Sequence, residues 1–194
     1  SLSPGHWLGK LCAAAGLTHA PGGFDVAGGE PAALVVSPDA AGAVRNAMPV
    51  KPPPVRIRRI EANELPVVKR LAYETWHACY PGIIPVGQID YMLSIWYEPG
   101  AMAREMETRD VWFALIEAEN FGAVGYVSFE KVPEEPVVFI NKLYVLPQMH
   151  GRGLGAAALN WTADRARELG ADRLQLRVNK KNATAIRSYL RGGF

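Results

Sequence analysis

The stretch that most constrains this chain is a strand, a glycine-rich turn and a helix, which follow one another over residues 137–169. Residues 137–145 are β-branched and aromatic enough for a buried strand, and Pro147 ends that strand because it lacks a backbone donor. Three glycines at alternate positions come next, where they let the backbone turn sharply and expose its amides at the start of the helix. The pattern predicts a cradle for a phosphate group, formed by Gly151, Gly153 and Gly155.

Composition and charge narrow the class of protein and of partner. The chain has 194 residues, of which 49% are hydrophobic and 21% charged, as expected for a soluble globular protein with one sizeable core. A net charge of +2 is too mild to favour a nucleic-acid partner, whereas a small anionic ligand fits it. The apolar run near residues 11–17 is too short to span a membrane.

The two cysteines, Cys12 and Cys79, lie far apart in the sequence and match neither a disulfide framework nor a zinc-binding spacing. We therefore expect no metal site, and we expect the protein to reside in the reducing cytoplasm.

The first 54 residues differ in composition from the rest. They are rich in Ala, Gly and Pro, and they end in the run Lys51-Pro52-Pro53-Pro54, which is typical of a semi-rigid linker. We expect an N-terminal extension over residues 1–54, with a short helix at 7–15 and a short strand at 32–37. A single domain is expected over residues 55–194.

Hydrophobic periodicity predicts the elements of that domain. Asn63 is expected to cap the first helix, since its side chain can accept a hydrogen bond from the helix N-terminus. Strands are predicted at 55–60, 111–117, 123–130, 137–145 and 173–178, and helices at 63–79, 88–97, 101–107, 154–169 and 182–190.

Two common phosphate-binding motifs fit the glycine turn poorly. A P-loop requires Gly-Lys-Ser/Thr after the last glycine, but Gly155 is followed by alanines. A dinucleotide-binding turn expects an acidic residue at the end of the next strand, and that strand ends at Val178-Asn179.

A third interpretation comes from resemblance. The stretch LYVLPQMHGRGLG, followed by a helix, a strand and NKKNATAIRSYLRGGF, closely resembles the GNAT superfamily of N-acetyltransferases over residues 55–194. The acetyl-CoA motif of that family is Q/R-x-x-G-x-G/A. The resemblance implies an α/β (α+β) fold, with a twisted, mixed, mostly antiparallel sheet and helices on both faces. Acetyl-CoA would enter where strand 137–145 splays from strand 173–178.

The motif can be aligned in two registers. Counted from Pro147, His150 stands where the family has Gln or Arg, which is a departure from the pattern. If the motif is aligned to start at Gln148, the sequence matches the pattern literally, but the motif glycines then lie two residues too early relative to the helix. We therefore expect the first register, and since the backbone amides carry most of the pyrophosphate binding in this family, a His at that position should tune the pocket without abolishing it.

The resemblance also implies roles for residues around the splay. The backbone amide of Val145 would polarise the thioester carbonyl, and Tyr189 would protonate the departing thiolate. Asn182 would contact the pantetheine, and it also suits a helix N-cap. The expected cofactor contacts are Leu143, Val145, His150, Gly151, Arg152, Gly153, Leu154, Gly155 and Asn182.

The general base and the pocket for the amine acceptor are assigned from single residues and not from a motif. Glu130, near the end of the strand before the central one, is the candidate general base, and an exposed structural carboxylate is the alternative. The aromatic residues Trp76, Tyr80 and Tyr91 are expected to line the acceptor pocket, although aromatic side chains in such helices are commonly core residues.

The predicted activity is transfer of an acetyl group from acetyl-CoA to an amine by direct attack in a ternary complex. A small-molecule amine is favoured, and a protein N-terminus remains open. The alternative is a catalytically degenerate acyl-CoA-binding sensor or interaction domain, which would keep the loop and lose the catalytic groups.

Members of the family continue past the Gly-Phe at 193–194 with two more strands. Without them we expect an exposed sheet edge, which would favour a homodimer, and truncation of the chain is the expected cause. The alternative is that residues 23–37, with a turn at Gly28-Gly29, fold back to supply the strands.

Overall fold

The computed structural model describes residues 54–191 in full, together with the backbone of three short strands before them. The helix predicted at 7–15, the turn at Gly28-Gly29 and the final residues 192–194 lie outside the described residues. The three short strands are β1 (Thr18–Ala20), β2 (Gly23–Asp25) and β3 (Ala32–Val36).

The main sheet has six strands in the spatial order β3-β8-β7-β6-β5-β4. Every neighbouring pair is antiparallel except β7 and β8, which run parallel and are joined by a helix. This confirms the predicted mixed, mostly antiparallel sheet. The remaining strands are β4 (Val55–Arg59), β5 (Trp112–Ala118), β6 (Gly122–Lys131), β7 (Val137–Val145) and β8 (Arg173–Val178).

The described part of the chain contains five α-helices, each within a few residues of its predicted position. They are α1 (Leu65–Cys79), α2 (Val86–Trp96), α3 (Pro99–Arg109), α4 (Leu154–Glu168) and α5 (Ala183–Arg191).

The start of α1 differs from the prediction. Asn63 lies inside a 3-10 turn, Ala62–Glu64, and does not cap the helix. The carboxylate of Glu64 accepts a hydrogen bond from the backbone N–H of Glu61 at 3.4 Å, and it also pairs with Arg58 of β4 at 2.6 Å. A charged partner on the neighbouring strand therefore sets this helix start.

The two faces of the sheet are covered by different helices, as predicted. One core packs α1, α2 and α3 against the sheet, with Leu71, Met102 and Phe113 fully buried. The second core packs α4 against the opposite face, around Ala163 and Phe129. None of the helices in the described part of the chain has the length and apolar character that a bilayer span requires.

The edge of β8 is paired, which corrects the expected exposed edge. Strand β3 runs antiparallel to β8, from Ala32 opposite Val178 to Val36 opposite Leu174. The stretch 32–36 thus provides one of the two strands that the alternative interpretation assigned to residues 23–37. The other strand of that stretch, β2, pairs with β1 in a separate two-stranded sheet.

The pairing of β3 also bears on assembly and on the domain boundary. A bare edge of β8 would have favoured a homodimer, but β3 pairs with that edge. A domain boundary near Val55 stays a prediction, and the main sheet draws one strand from the N-terminal side of it.

Candidate active site

Strands β7 and β8 separate halfway along their length. They pair from Val137 opposite Arg173 to Ile140 opposite Leu176, although β7 continues to Val145. The register between β6 and β7 shifts at the same level, which makes Asn141 the extra residue of a β-bulge. Because a bulge bends its strand and increases the local twist, β7 diverges from β8 beyond this point. The predicted V-shaped opening is therefore present.

Two backbone amides of β7 face this opening. The N–H of Leu146 donates to the carbonyl of Val124 at 2.8 Å, which identifies a hydrogen-bonded pair of the antiparallel ladder. Such pairs alternate with pairs whose N–H and C=O groups point away from the partner strand. Leu143 and Val145 fall in the second class, so their amides point away from β6 toward the side on which β8 has separated.

The imidazole of His150 ties the loop after β7 back to the end of that strand. Its Nε2 atom lies 2.8 Å from the carbonyl oxygen of Val145, a distance at which the ring N–H donates to the carbonyl. The carbonyl of Val145 is thereby engaged within the chain. His150, which stands in place of the Gln or Arg of the motif, therefore links the loop to the end of β7.

The glycine loop leaves open space in front of its backbone. Gly151 and Gly153 have φ angles of +75° and +79°, which L side chains rarely adopt, and Gly153 is the N-cap of α4. A Cβ atom added at Gly151 or Gly155 would meet no atom within 4 Å. The side chain of Leu154 is buried in the core, so only its backbone can reach a ligand. Exposed amides at a helix N-terminus suit a diphosphate group.

Arg152 is the charged residue of this loop. Its guanidinium lies 5.7 Å from the ring centre of Phe121, which is on the hairpin between β5 and β6 and is 58% exposed. The ring gives the guanidinium a cation–π contact beside the loop. Sequence reasoning missed Phe121, because a single aromatic residue in a hairpin turn carries no pattern.

Asn182 caps the last helix. Its side-chain oxygen accepts a hydrogen bond from the N–H of Ala185 at 3.1 Å, so the helix-cap interpretation is confirmed. Its expected pantetheine contact stays a prediction.

Tyr189 lies on α5, half-buried against the core formed with α4. Burial raises the pKa of the Tyr189 phenol above its usual range, and nearby Tyr80 adds a smaller effect. The hydroxyl therefore keeps its proton at neutral pH, as a general acid must.

The structure brings together two of the three aromatic residues predicted on the acceptor side. The rings of Trp76 and Tyr80 lie 4.9 Å apart, both are at least nine-tenths buried, and the Tyr80 hydroxyl is 2.9 Å from that of Tyr144. Tyr91 is 45% exposed, because α2 buries the face that carries Ile89 and Leu93. Trp76 and Tyr80 thus belong to the core, whereas Tyr91 faces outward.

A second hydroxyl pair adjoins the first. The Tyr126 hydroxyl donates to the Tyr97 hydroxyl at 3.0 Å, and the ring of Tyr126 stacks on that of Tyr144 at 5.5 Å. Burial raises the pKa of all three phenols well above the ordinary value. Tyr144 was missed at the level of sequence, although the period of two along β7 places it on the same face as Lys142.

Glu130 lies away from the groups described so far. It is opposite Phe139 on β7, which at about 3.3 Å per residue is roughly 20 Å along the strand from Val145. Both carboxylate oxygens are engaged by Arg109, one of them by its Nε at 3.1 Å. A role as general base would require Arg109 to give up this carboxylate, and that role stays a prediction.

Comparison with known proteins identifies the family. The model of the acetyltransferase (GNAT) family matches residues 70–194. An uncharacterized N-acetyltransferase of Mycobacterium tuberculosis is 32% identical over 136 residues, which cover 69% of this chain and 83% of the relative. Streptothricin acetyltransferase of Streptomyces lavendulae is 34% identical over 101 residues, half of each chain.

The fold agrees with these sequence matches. The crystal structure of the PaiA N-acetyltransferase of Thermoplasma acidophilum in complex with coenzyme A superposes with a TM-score of 0.66 at 19% identity. The superposition covers 73% of this chain and 89% of that one. The splayed strands, the open glycine loop and these matches lead to one conclusion: the chain belongs to the GNAT family of N-acetyltransferases, enzymes that use acetyl-CoA.

Proposed function

We propose that this enzyme transfers the acetyl group of acetyl-CoA to a small-molecule amine by direct attack in a ternary complex. The observation that carries the proposal is the end of β7–β8 pairing at Ile140, because it turns two amides of β7 toward the gap beside an open glycine loop. The streptothricin acetyltransferase similarity supports a small-molecule acceptor.

The loop and the start of α4 would hold the diphosphate. The amides of Gly151, Gly153 and Gly155 and the positive end of the helix dipole supply the attraction, and Arg152 adds a full charge. The open space in front of Gly151 and Gly155 fits such a group, whereas a side chain there would occupy it.

The backbone of β7 would activate the thioester, which acetyl-CoA supplies when bound. The N–H groups of Leu143 and Val145 point into the gap, where they can donate to an oxygen that gains negative charge during attack. One well-placed donor of this kind lowers the barrier by roughly 2.7–4 kcal/mol. The Val145 carbonyl is held by His150, which fixes the orientation of the strand end.

Tyr189 would complete the transfer by donating its proton to the departing thiolate, and the phenolate would regain a proton from water, which takes up the one that the attacking amine loses. Its raised pKa keeps the donor form populated across the neutral range. Asn182, at the start of the same helix, would contact the pantetheine with the part of its amide that the N-cap leaves available.

Two assays on the full chain test the proposal. Calorimetry measures acetyl-CoA binding, and release of the coenzyme A thiol is followed against a panel of small amines, polyamines and N-terminal peptides. We expect binding and turnover with a small amine. Turnover with peptides alone would move the acceptor to a protein N-terminus, and binding without turnover would support the degenerate sensor.

A cytoplasmic location is retained as part of the proposal, since Cys79 is a free thiol.

A further inference from the structure

Helix α3 contacts the sheet through two ion pairs of opposite polarity. Glu105 accepts a hydrogen bond from the Lys142 ammonium at 3.0 Å, and Arg109 donates to both carboxylate oxygens of Glu130. Glu105 and Arg109 are four residues apart, so they share one face of the helix and could pair with each other. Each instead reaches a charge on the sheet.

These charges are removed from water. The side chains of Lys142 and Glu130 are only 10% and 11% exposed. The Lys142 ammonium also lies 5.2 Å from the ring of Phe113 and 5.9 Å from that of Tyr97. A desolvated charge is stable only while its partner stays in place, so each pair holds its two elements in a fixed relation.

The two pairs lie on opposite sides of the β-bulge. Lys142 directly follows the bulge residue Asn141 and is opposite Ser128, whereas Glu130 is opposite Phe139, before the bulge. One face of α3 therefore holds β7 just after its bend and β6 just before it. The amide of Leu143 is the next one along the chain after Lys142.

We propose that Glu105 and Arg109 clamp the bulge of β7, and that this clamp sets the direction in which the Leu143 and Val145 amides point into the active site. Lys142, Glu105, Arg109 and Glu130 are then positioning residues. Glu130 acts through the strand and takes no proton from the substrate. The inference rests on the proposed role of the two amides.

The test uses Lys142→Met, with Arg58→Met as the matched control. Arg58 on β4 pairs with Glu64 and Glu117, is 30% exposed on its side chain, and lies at the far edge of the sheet. Both variants lose a partly buried ion pair, so both are expected to lower the unfolding midpoint. The distinguishing readout is the infrared carbonyl band of bound, isotope-labelled acetyl-CoA, which reports how strongly the amides polarise the thioester.

In the wild-type enzyme the band should lie below its position in water. In Lys142→Met it should return toward the free position, with kcat about 10- to 100-fold lower and little change in the Kd of acetyl-CoA. Arg58→Met should keep both the wild-type band and the wild-type kcat. If Lys142→Met does not fold, Glu105→Gln replaces it in the test. This variant removes the charge of the more exposed partner in the same ion pair, and the same results are expected.

A second arm decides the role of Glu130. The clamp predicts that Glu130→Gln lowers kcat by the same factor at every pH, and that exchanging the charges in Arg109→Glu/Glu130→Arg recovers activity. If Glu130 were instead the general base, Glu130→Gln would remove the acidic limb of the pH–kcat profile. Exchanging the two charges would then not restore activity.

The outcomes separate the two proposals. A wild-type enzyme that does not bind acetyl-CoA or does not release its thiol with any amine would overturn the proposed function, and an unshifted band in an active wild-type enzyme would overturn the role of the two amides and the clamp with it. A shifted band in the wild-type enzyme that persists unchanged in Lys142→Met and Glu105→Gln would overturn the clamp alone.

Discussion

The Nε2 atom of His150 lies 2.8 Å from the carbonyl oxygen of Val145, and this contact joins the glycine loop at residues 151–155 to the strand that carries the predicted amide donors. In the proposed binding mode the loop and the strand must keep a fixed separation, because one acetyl-CoA molecule would reach the loop with its diphosphate and the strand with its thioester. A single side chain of the loop thus couples the two halves.

Replacing His150 with Ala should weaken acetyl-CoA binding, because the loop loses its tie to β7. One net hydrogen bond corresponds to about 0.5–1.5 kcal/mol, or roughly a 2- to 10-fold rise in Kd measured by calorimetry. Gln148→Ala is the control, since Gln148 is exposed and heads the other register of the motif. A larger rise in the Kd of acetyl-CoA for Gln148→Ala than for His150→Ala would mean that the motif is read in the register that starts at Gln148.

Gly125→Ala should destabilise the enzyme at the level of Val145. An added Cβ would lie 2.5 Å from the carbonyl oxygen of Tyr144 and 3.2 Å from the Val145 Cα, so β6 and β7 would have to move apart. Overpacking of this kind costs about 1–3 kcal/mol of unfolding free energy, measurable by denaturant titration. Gly87→Ala in α2 meets no atom within 4 Å and should be neutral or slightly stabilising. Equal effects at the two glycines would contradict the close approach at Gly125.

Tyr189→Phe should lower kcat by about 10²- to 10⁴-fold if the phenol is the general acid. Because burial raises its pKa above the ordinary value near 10, the acid form persists as pH rises. Wild-type kcat should therefore show no falling limb from this group below about pH 10. Thiol release across that pH range checks both statements, and a Tyr189→Phe variant with full activity would remove the assignment.

Phe121→Leu should reduce the contribution of Arg152 to coenzyme binding. The exposed cation–π contact is worth about 0.5–1 kcal/mol, so the Kd of acetyl-CoA should rise roughly two- to fivefold. A double-mutant cycle with Arg152→Met measures the coupling between the two residues. Additive effects would show that the ring does not position the guanidinium.

Folding stability should fall above about pH 10, because the unfolded chain loses phenolic protons that the folded chain retains. Each buried tyrosine with a raised pKa contributes up to about 1.4 kcal/mol per pH unit in this range. Tyrosinate absorbance from the buried tyrosines should therefore rise together with unfolding. Ionisation of the buried tyrosines before the chain unfolds would contradict their burial. The residues concerned are Tyr80, Tyr97, Tyr126, Tyr144 and Tyr189.

Much of this arrangement could be predicted because its signals are local. The bounds of β7 and β8 follow from apolar runs, and they agree with the structure at both ends. The glycine turn before α4 follows from spacing alone, since only glycine readily adopts the positive φ seen at Gly151 and Gly153.

The features that sequence could not predict depend on residues far apart in the chain. The bulge at Asn141 exists only relative to β6, and the partners of Lys142 and Glu130 come from α3. Glu130 could be assigned as a base because a carboxylate near a strand end carries no sign of an arginine partner from a helix distant in the sequence. Asn63 failed as a cap for the same reason, since Arg58 draws Glu64 into that position.

The pairing of β3 with β8 has a consequence for how the site assembles. Strand β8 joins β7 through the short crossover of α4, whereas its pairing with β3 brings together Ala32 and Val178, which are about three quarters of the chain apart in the sequence. Closing so long a segment is entropically costly, and contacts of high sequence separation form slowly. We therefore expect one wall of the opening between β7 and β8 to be completed late in folding, and a ligand that binds only the finished opening would stabilise the docked N-terminal strand by mass action.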